Sequence, residues 1–190
     1  GDQGELSTLS VDDATRIIQF GLDKWHETIA TKEYKSVLFF KNHGPMSGGS
    51  IRHPHSQIIG LRNYDYHEDI TVKNMNGWLL HEDQDIRITL SKHPIIGFFE
   101  YNLRYKPDAP VRSIAMRLQQ TIRYVLDSLA KFSQSYNYFF YQLEDGYEYI
   151  KVIPRYITTP LYVGYKIPQT CNDERAAKIL QNITPYFELK

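Results

Sequence analysis

Between residues 42 and 57 the chain reads Asn-His-Gly-Pro-Met-Ser-Gly-Gly-Ser-Ile-Arg-His-Pro-His-Ser-Gln, and its chemically useful side chains concentrate there. A glycine-rich loop offers backbone N–H groups, while Ser50 and Arg52 add a hydroxyl and a guanidinium, a set suited to a phosphate ester. Neutral imidazole attacks phosphorus near pH 7, and its phosphoramidate is reactive enough to pass the group on. A histidine such as His53 or His55 therefore splits one hard displacement into two easier ones. Gln57, two residues past His55, can donate its amide N–H to a phosphoryl oxygen as charge grows on it. A His-Pro-His tripeptide alone is more often an exposed turn. The register of Asn42, the glycines, Ser50 and Gln57 around it turns the balance toward a phosphate-ester site.

Such a site needs rigid elements on either side. Ser10 with Asp13 three residues later is a capping-box variant ahead of Ala14, Ile18, Trp25 and Ile29, which predicts a helix from about Val11 to Thr31. Lys35 to Lys41 reads as a buried strand, and His53 to Leu61 as a second. A period of two on that second strand places His53, His55, Gln57, Ile59 and Leu61 on one face. Gly77 to Leu80, Asp85 to Leu90 and Ile95 to Tyr105 read as a meander. Val111, Ile114, Ala115, Leu118, Ile122, Val125, Leu126 and Leu129 form an apolar stripe that predicts a helix from Pro110 to about Phe132 covering a sheet. Tyr136 to Leu143 and Tyr147 to Ile153 flank Glu144-Asp145-Gly146 as a hairpin, and Asp173 caps a last helix through Leu180. This order favours α+β: antiparallel sheets flanked by helices. A long helix followed by a hairpin occurs twice, which suggests two related halves, 1–70 carrying the motif and 71–190. The tyrosines between Tyr136 and Tyr165 are expected on exposed sheet surface or at an interface.

The chain has 190 residues, 22 basic and 22 acidic side chains, and 42% hydrophobic residues, the profile of one compact domain or two fused half-domains. This charge balance gives no electrostatic reason to expect nucleic acid or an anionic membrane as partner. The longest apolar runs fall far below the roughly 20 residues of a membrane span. The first ten residues lack the pattern of a secretory signal. Cys171, the single cysteine, excludes an internal disulfide and fits a cytoplasmic protein. His67-Glu68-Asp69 and His81-Glu82-Asp83 read as solvated surface rather than metal ligands.

Asn42, Gly44, Gly48, Ser50, His53, Pro54, His55 and Gln57 together resemble, without a gap, the active-site segment of the galactose-1-phosphate uridylyltransferase family of the histidine triad superfamily. A looser likeness continues through Ile153-Pro154 and Val163-Gly164-Tyr165-Lys166. The resemblance implies a histidine-triad-like fold and ping-pong nucleotidyl transfer. In that scheme His55 attacks the α-phosphorus of a nucleoside diphosphate sugar, and a sugar 1-phosphate or phosphate is the partner substrate. It further implies that the backbone carbonyl of His53 fixes the tautomer of His55, and that Ser50 and Gln57 hold phosphoryl oxygens. Asn42, Gly44, Gly48, Arg52 and Ser56 complete the substrate-binding set. Gln57 replaces the third histidine of the hydrolase branch, and Ser56 resembles the serine of adenylyl-transferring relatives.

Three departures from the family pattern bear on this. The family's nucleoside-binding strand upstream of the first helix is nearly absent, so the N-terminal half is expected to be incomplete. Zinc-binding members use upstream cysteines and a histidine whose place falls near Asp2, so zinc is expected only if ligands come from outside this segment. Tyr149 and Lys151 stand where a second metal site of some relatives has histidines. No cofactor is otherwise expected. A homodimer is expected, since the family often pairs its subunits. The alternatives are a non-catalytic nucleotide-binding module and a nucleotide hydrolase.

Overall fold

A computed structural model describes residues 4–49, 53–97, 99–129, 134–156 and 158–188. The first helix, α1 (Val11–Ala30), starts as its capping residues demand: Ser10 Oγ accepts from the Asp13 N–H at 3.0 Å and donates to the Asp13 carboxylate at 2.6 Å. The negative charges of Asp12 and Asp13 in the first turn complement the positive end of the helix dipole. Its buried stripe of Ala14, Ile18, Leu22 and Trp25 faces a sheet, and the Trp25 indole N–H is satisfied by the Val37 carbonyl at 2.9 Å.

The chain then forms β1 (Ser36–His43) and β2 (Ser56–Leu61), a short helix α2 (Val72–Met75), and the meander β3 (Gly77–Glu82), β4 (Ile86–Ser91) and β5 (Tyr101–Tyr105). The long helix α3 (Val111–Leu129) leads to the hairpin β6 (Tyr136–Gln142) and β7 (Glu148–Pro154), followed by α4 (Pro160–Tyr165) and α5 (Asp173–Glu188). All seven strands join one antiparallel sheet in the order β2-β1-β6-β7-β5-β4-β3. The helix-then-hairpin unit does recur, as α1-β1-β2 and α3-β6-β7, and the inner strands β1 and β6 pair across the middle of the sheet. A single sheet thus runs through both units instead of separate sheets packing together.

Register sorts the side chains onto two faces. Phe39, Tyr138 and Phe140 project toward α1 and α3, where the Phe39 and Phe140 rings stack 4.2 Å apart and Trp25 meets Phe140 edge-on. This apolar layer is the main core. The opposite face carries Phe40, Asn42, Asn137, Phe139 and Lys151. Lys151 is fully buried there, its Nζ 3.0 Å from Glu100 Oε2, and it also donates to Ser91 Oγ at 2.8 Å and to the Asn74 carbonyl at 3.0 Å. Burial drives the Lys151 ammonium below its ordinary range, and the Glu100 charge opposes that shift.

Several expectations are corrected. The run Ile95 to Tyr105 is a strand only from Tyr101, because the N–H groups of Ile95, Ile96 and Gly97 turn inward to bond the Glu100 carboxylate. β2 begins at Ser56 rather than His53, so the strand periodicity does not govern the two histidines. Asn172, not Asp173, caps α5 through an Oδ1 bond to the Arg175 N–H, and the helix continues to Glu188 past Leu180. Tyr136, Tyr138, Tyr141 and Tyr149 are buried within the chain instead of forming a surface. Among the described residues no helix is long and apolar enough to cross a membrane.

Candidate active site

The motif joins β1 to β2. At the end of β1, Gly44 takes φ +79°, and a Cβ there would stand 2.4 Å from Ser135 Oγ, so the turn requires glycine. A single 3₁₀ turn, Pro45–Ser47, follows and is held by the Ser47 hydroxyl donating to the Gly44 carbonyl at 2.7 Å. The Met46 N–H adds a bond to Ser135 Oγ at 3.1 Å. Gly48 closes the turn in the left-handed region at φ +81°. Ser50 and Arg52 lie outside the described residues, as does Asp2.

His55 is half-buried, and its Nδ1 lies 2.8 Å from the His53 backbone carbonyl. A carbonyl oxygen only accepts, so Nδ1 carries the proton and Nε2 keeps the lone pair in the neutral ring. Gln57 follows on β2, paired with Phe40 of β1, and therefore shares a face with Phe40 and Asn42. Asn42 is fixed by Asn137, whose Nδ2 donates to Asn42 Oδ1 at 2.5 Å. Asn42, the Gly44 to Gly48 turn and Gln57 thus gather around the β1–β2 connection, with His55 immediately before β2. Ser56 departs from this group: it projects to the α1 side, where its hydroxyl meets the Tyr138 hydroxyl at 2.9 Å. His53, at the exposed bend, contributes its carbonyl.

A cavity of about 310 Å³ opens on that α1 side, between the helix and β1–β2, with Ile17, Phe20 and Ile58 on its walls and His55 and Ser56 on its lining. Lys41 also reaches this region, but its Nζ is paired with Glu5 Oε2 at 3.1 Å. His43 Nδ1 lies 2.8 Å from the same oxygen, and the Tyr136 hydroxyl donates to the other carboxylate oxygen. Burial pushes the Glu5 carboxyl upward, yet the His43 hydrogen bond, the Lys41 charge and the Tyr136 hydrogen bond outweigh it and hold it at about 2.

Sequence reasoning passed over Asn137 and Arg155. Asn137 is 1% exposed, donates to the Ser47 carbonyl at 3.0 Å, and accepts from Arg155 Nη1 at 2.8 Å. Both residues belong to the second helix-hairpin unit, distant in sequence from the motif, and only the β1–β6 pairing brings them to it. Among the described residues no group of three or more His, Cys, Asp or Glu is arranged to hold a metal. At Lys151 the residues do not fit a metal centre, since an ammonium already neutralises Glu100 there.

The fold is shared with solved uridylyltransferases and with an ADP-glucose phosphorylase. A uridylyltransferase mutant superposes with a TM-score of 0.75 at 15% identity, covering 95% of this chain and 74% of that one. An ADP-glucose phosphorylase from Arabidopsis thaliana, solved with bound ADP-glucose, gives 0.74 at 14% identity over 93% of this chain and 67% of that one. The chain belongs to the DUF4931 family. The family's C-terminal domain, described as a domain of unknown function, matches residues 67–187, and its N-terminal domain matches residues 2–64. The crystal structure of a DUF4931 family protein from Bacillus cereus is 34% identical, with a TM-score of 0.87 over 100% of this chain and 86% of that one. No curated protein matches the sequence.

Proposed function

We propose that this chain is a nucleotidyltransferase or nucleoside-diphosphate-sugar phosphorylase that works through a nucleotidyl-histidine on His55. The observation that carries the reading is the 2.8 Å contact between His55 Nδ1 and the His53 carbonyl, which leaves Nε2 as the nucleophilic nitrogen. In the first half-reaction Nε2 attacks the α-phosphorus of a nucleoside diphosphate sugar. A P–N bond forms, the bond to the bridging oxygen breaks, and its electron pair leaves with the sugar 1-phosphate. In the second half-reaction an oxygen of an incoming sugar 1-phosphate or inorganic phosphate attacks the same phosphorus and returns the electron pair to Nε2. A phosphate leaving group needs little protonation, which suits Gln57, an amide that donates a hydrogen bond but does not shuttle protons. In this reading Asn42, Gly44 and Gly48 cradle the phosphates, Ser50 and Arg52, outside the described residues, belong to the same binding set, and Ser56 acts on the site through its bond to Tyr138.

The likeness to a phosphorylase solved with ADP-glucose supports a nucleotide sugar as donor, and the uridylyltransferase likeness leaves uridine beside adenosine as candidate base. A homodimer is part of the proposal: Val163 and Tyr165 of the α4 segment are 65% and 75% exposed, an apolar pair suited to a protein interface. The lone cysteine supports a cytoplasmic setting. Isotope exchange tests the two-step scheme. With a nucleoside diphosphate sugar present and no second acceptor, labelled sugar 1-phosphate should exchange into the donor pool; exchange that requires an acceptor would contradict a covalent intermediate.

A further inference from the structure

Asn42 is oriented by residues from the other helix-hairpin unit. Asn137 stands opposite Asn42 in the β1–β6 ladder, is 1% exposed, and is engaged at both ends of its amide. Its Oδ1 accepts from Arg155 Nη1 at 2.8 Å, while its Nδ2 donates to Asn42 Oδ1 at 2.5 Å and to the Ser47 carbonyl at 3.0 Å. A guanidinium only donates, so Arg155 dictates that the oxygen of Asn137 faces it and the nitrogen faces β1. That nitrogen in turn holds the oxygen of Asn42 inward, and the NH₂ of Asn42 becomes its outward end. The same amide pins the Ser47 carbonyl, and with it the turn between Gly44 and Gly48.

We propose that Asn137 and Arg155 are positioning residues that present the Asn42 amide as a hydrogen-bond donor to an acceptor oxygen of the bound nucleotide, and that hold the glycine-rich turn in place for its phosphates. The inference rests on the reading of the site given under Proposed function. Neither residue need touch substrate: each fixes a polarity that an amide by itself leaves open.

The test uses Asn137→Asp, Arg155→Gln and Arg155→Lys, with the rate of nucleotidyl incorporation and the affinity for ADP and UDP as readouts. The carboxylate of Asn137→Asp still accepts from Arg155 but has no N–H to give Asn42, so the Asn42 amide turns over. Arg155→Gln replaces a half-buried guanidinium with an amide that no longer enforces one orientation. Both should lose roughly tenfold in labelling rate and in nucleotide affinity, the scale of one hydrogen bond to a charged partner. Arg155→Lys keeps a cationic donor and should stay within about threefold of the natural protein. Unchanged labelling and affinity in Asn137→Asp and Arg155→Gln, or an Arg155→Lys as impaired as Arg155→Gln, would overturn the inference. If the natural protein binds nucleotide but takes no label, the reading of His55 fails and the ADP and UDP affinities alone decide the positioning role. A natural protein that neither labels nor binds contradicts both.

Discussion

Ser56 and Tyr138 touch through their hydroxyls at 2.9 Å although a whole strand separates them, since both pair with Lys41 of β1 from opposite sides. The residue directly after His55 is thereby tied to a phenol of the second unit that is 1% exposed and whose proton is held more tightly than usual because it is buried. Replacing Tyr138 by Phe removes only the hydroxyl and should cost about 1 kcal/mol of stability. Urea unfolding measures that loss, and labelling at His55 should slow alongside it. Equal labelling rates in the two proteins would show that this tie does not reach the histidine.

His26 makes stability depend on pH near neutrality. Its Nε2 lies 2.7 Å from Glu148 Oε1, and that hydrogen bond raises the imidazole pKa above its ordinary value, against the opposing effect of burial. A raised pKa in the folded state means that the contribution is fully present below the unfolded value, about 6.5, and is lost as pH rises through the folded value above it. The melting temperature of the natural protein should therefore exceed that of His26→Gln most at pH 5.5 to 6, with the gap narrowing toward pH 8.5. A gap that widens with pH would contradict the assignment.

Glu5 acts in the opposite direction. Its carboxyl is held at about 2, so its contribution is present above the unfolded carboxylate range, near 4.3, and disappears as pH falls toward 2. Glu5→Gln should be less stable than the natural protein at pH 6 and approach it below pH 3. Chemical denaturation across that range measures the difference, and a constant offset would sink the account.

The Lys151–Glu100 pair is buried on both sides, so removing one partner strands a charge. Lys151→Met should cost about 3–5 kcal/mol, and Glu100→Gln added to it should recover part of that loss. The pairing is refuted if the single variant stays within about 1 kcal/mol of the natural protein in urea unfolding.

Local rules were enough to read much of this from the sequence. The Ser10 cap, the stripes of α1 and α3 and the Glu144-Asp145-Gly146 turn are each written within a few residues, and all appear in the structure. The run beginning at Ile95 misled because it has the composition of a strand, whereas Ile95, Ile96 and Gly97 wrap a carboxylate whose partner, Lys151, comes from another strand. The tyrosines of β6 and β7 look amphipathic one residue at a time, yet both strands lie in the middle of the sheet: Tyr136 and Tyr138 go inside on the α1 and α3 side, and Tyr141 and Tyr149 are buried on the other face with Tyr66 and Met75. The candidate residues His55, Gln57 and Asn42 stand out in the sequence because their chemistry and spacing sit in one short stretch. Asn137 and Arg155 do not, since nothing local distinguishes them before β6 is laid against β1. Ser56 lies on the α1 face of β2, bonded to Tyr138, and lines the same cavity as His55.

The central claim is the covalent step at His55, and intact-protein mass spectrometry with peptide mapping tests it most directly. The protein would be incubated separately with UDP-glucose, UDP-galactose, ADP-glucose and a dinucleoside polyphosphate. A mass gain of one nucleoside monophosphate, mapped to His55 within the His53 to Gln57 peptide and abolished in His55→Gly, is the predicted result, and the mass names the base. A label on another residue, or one that persists in His55→Gly, would contradict the account.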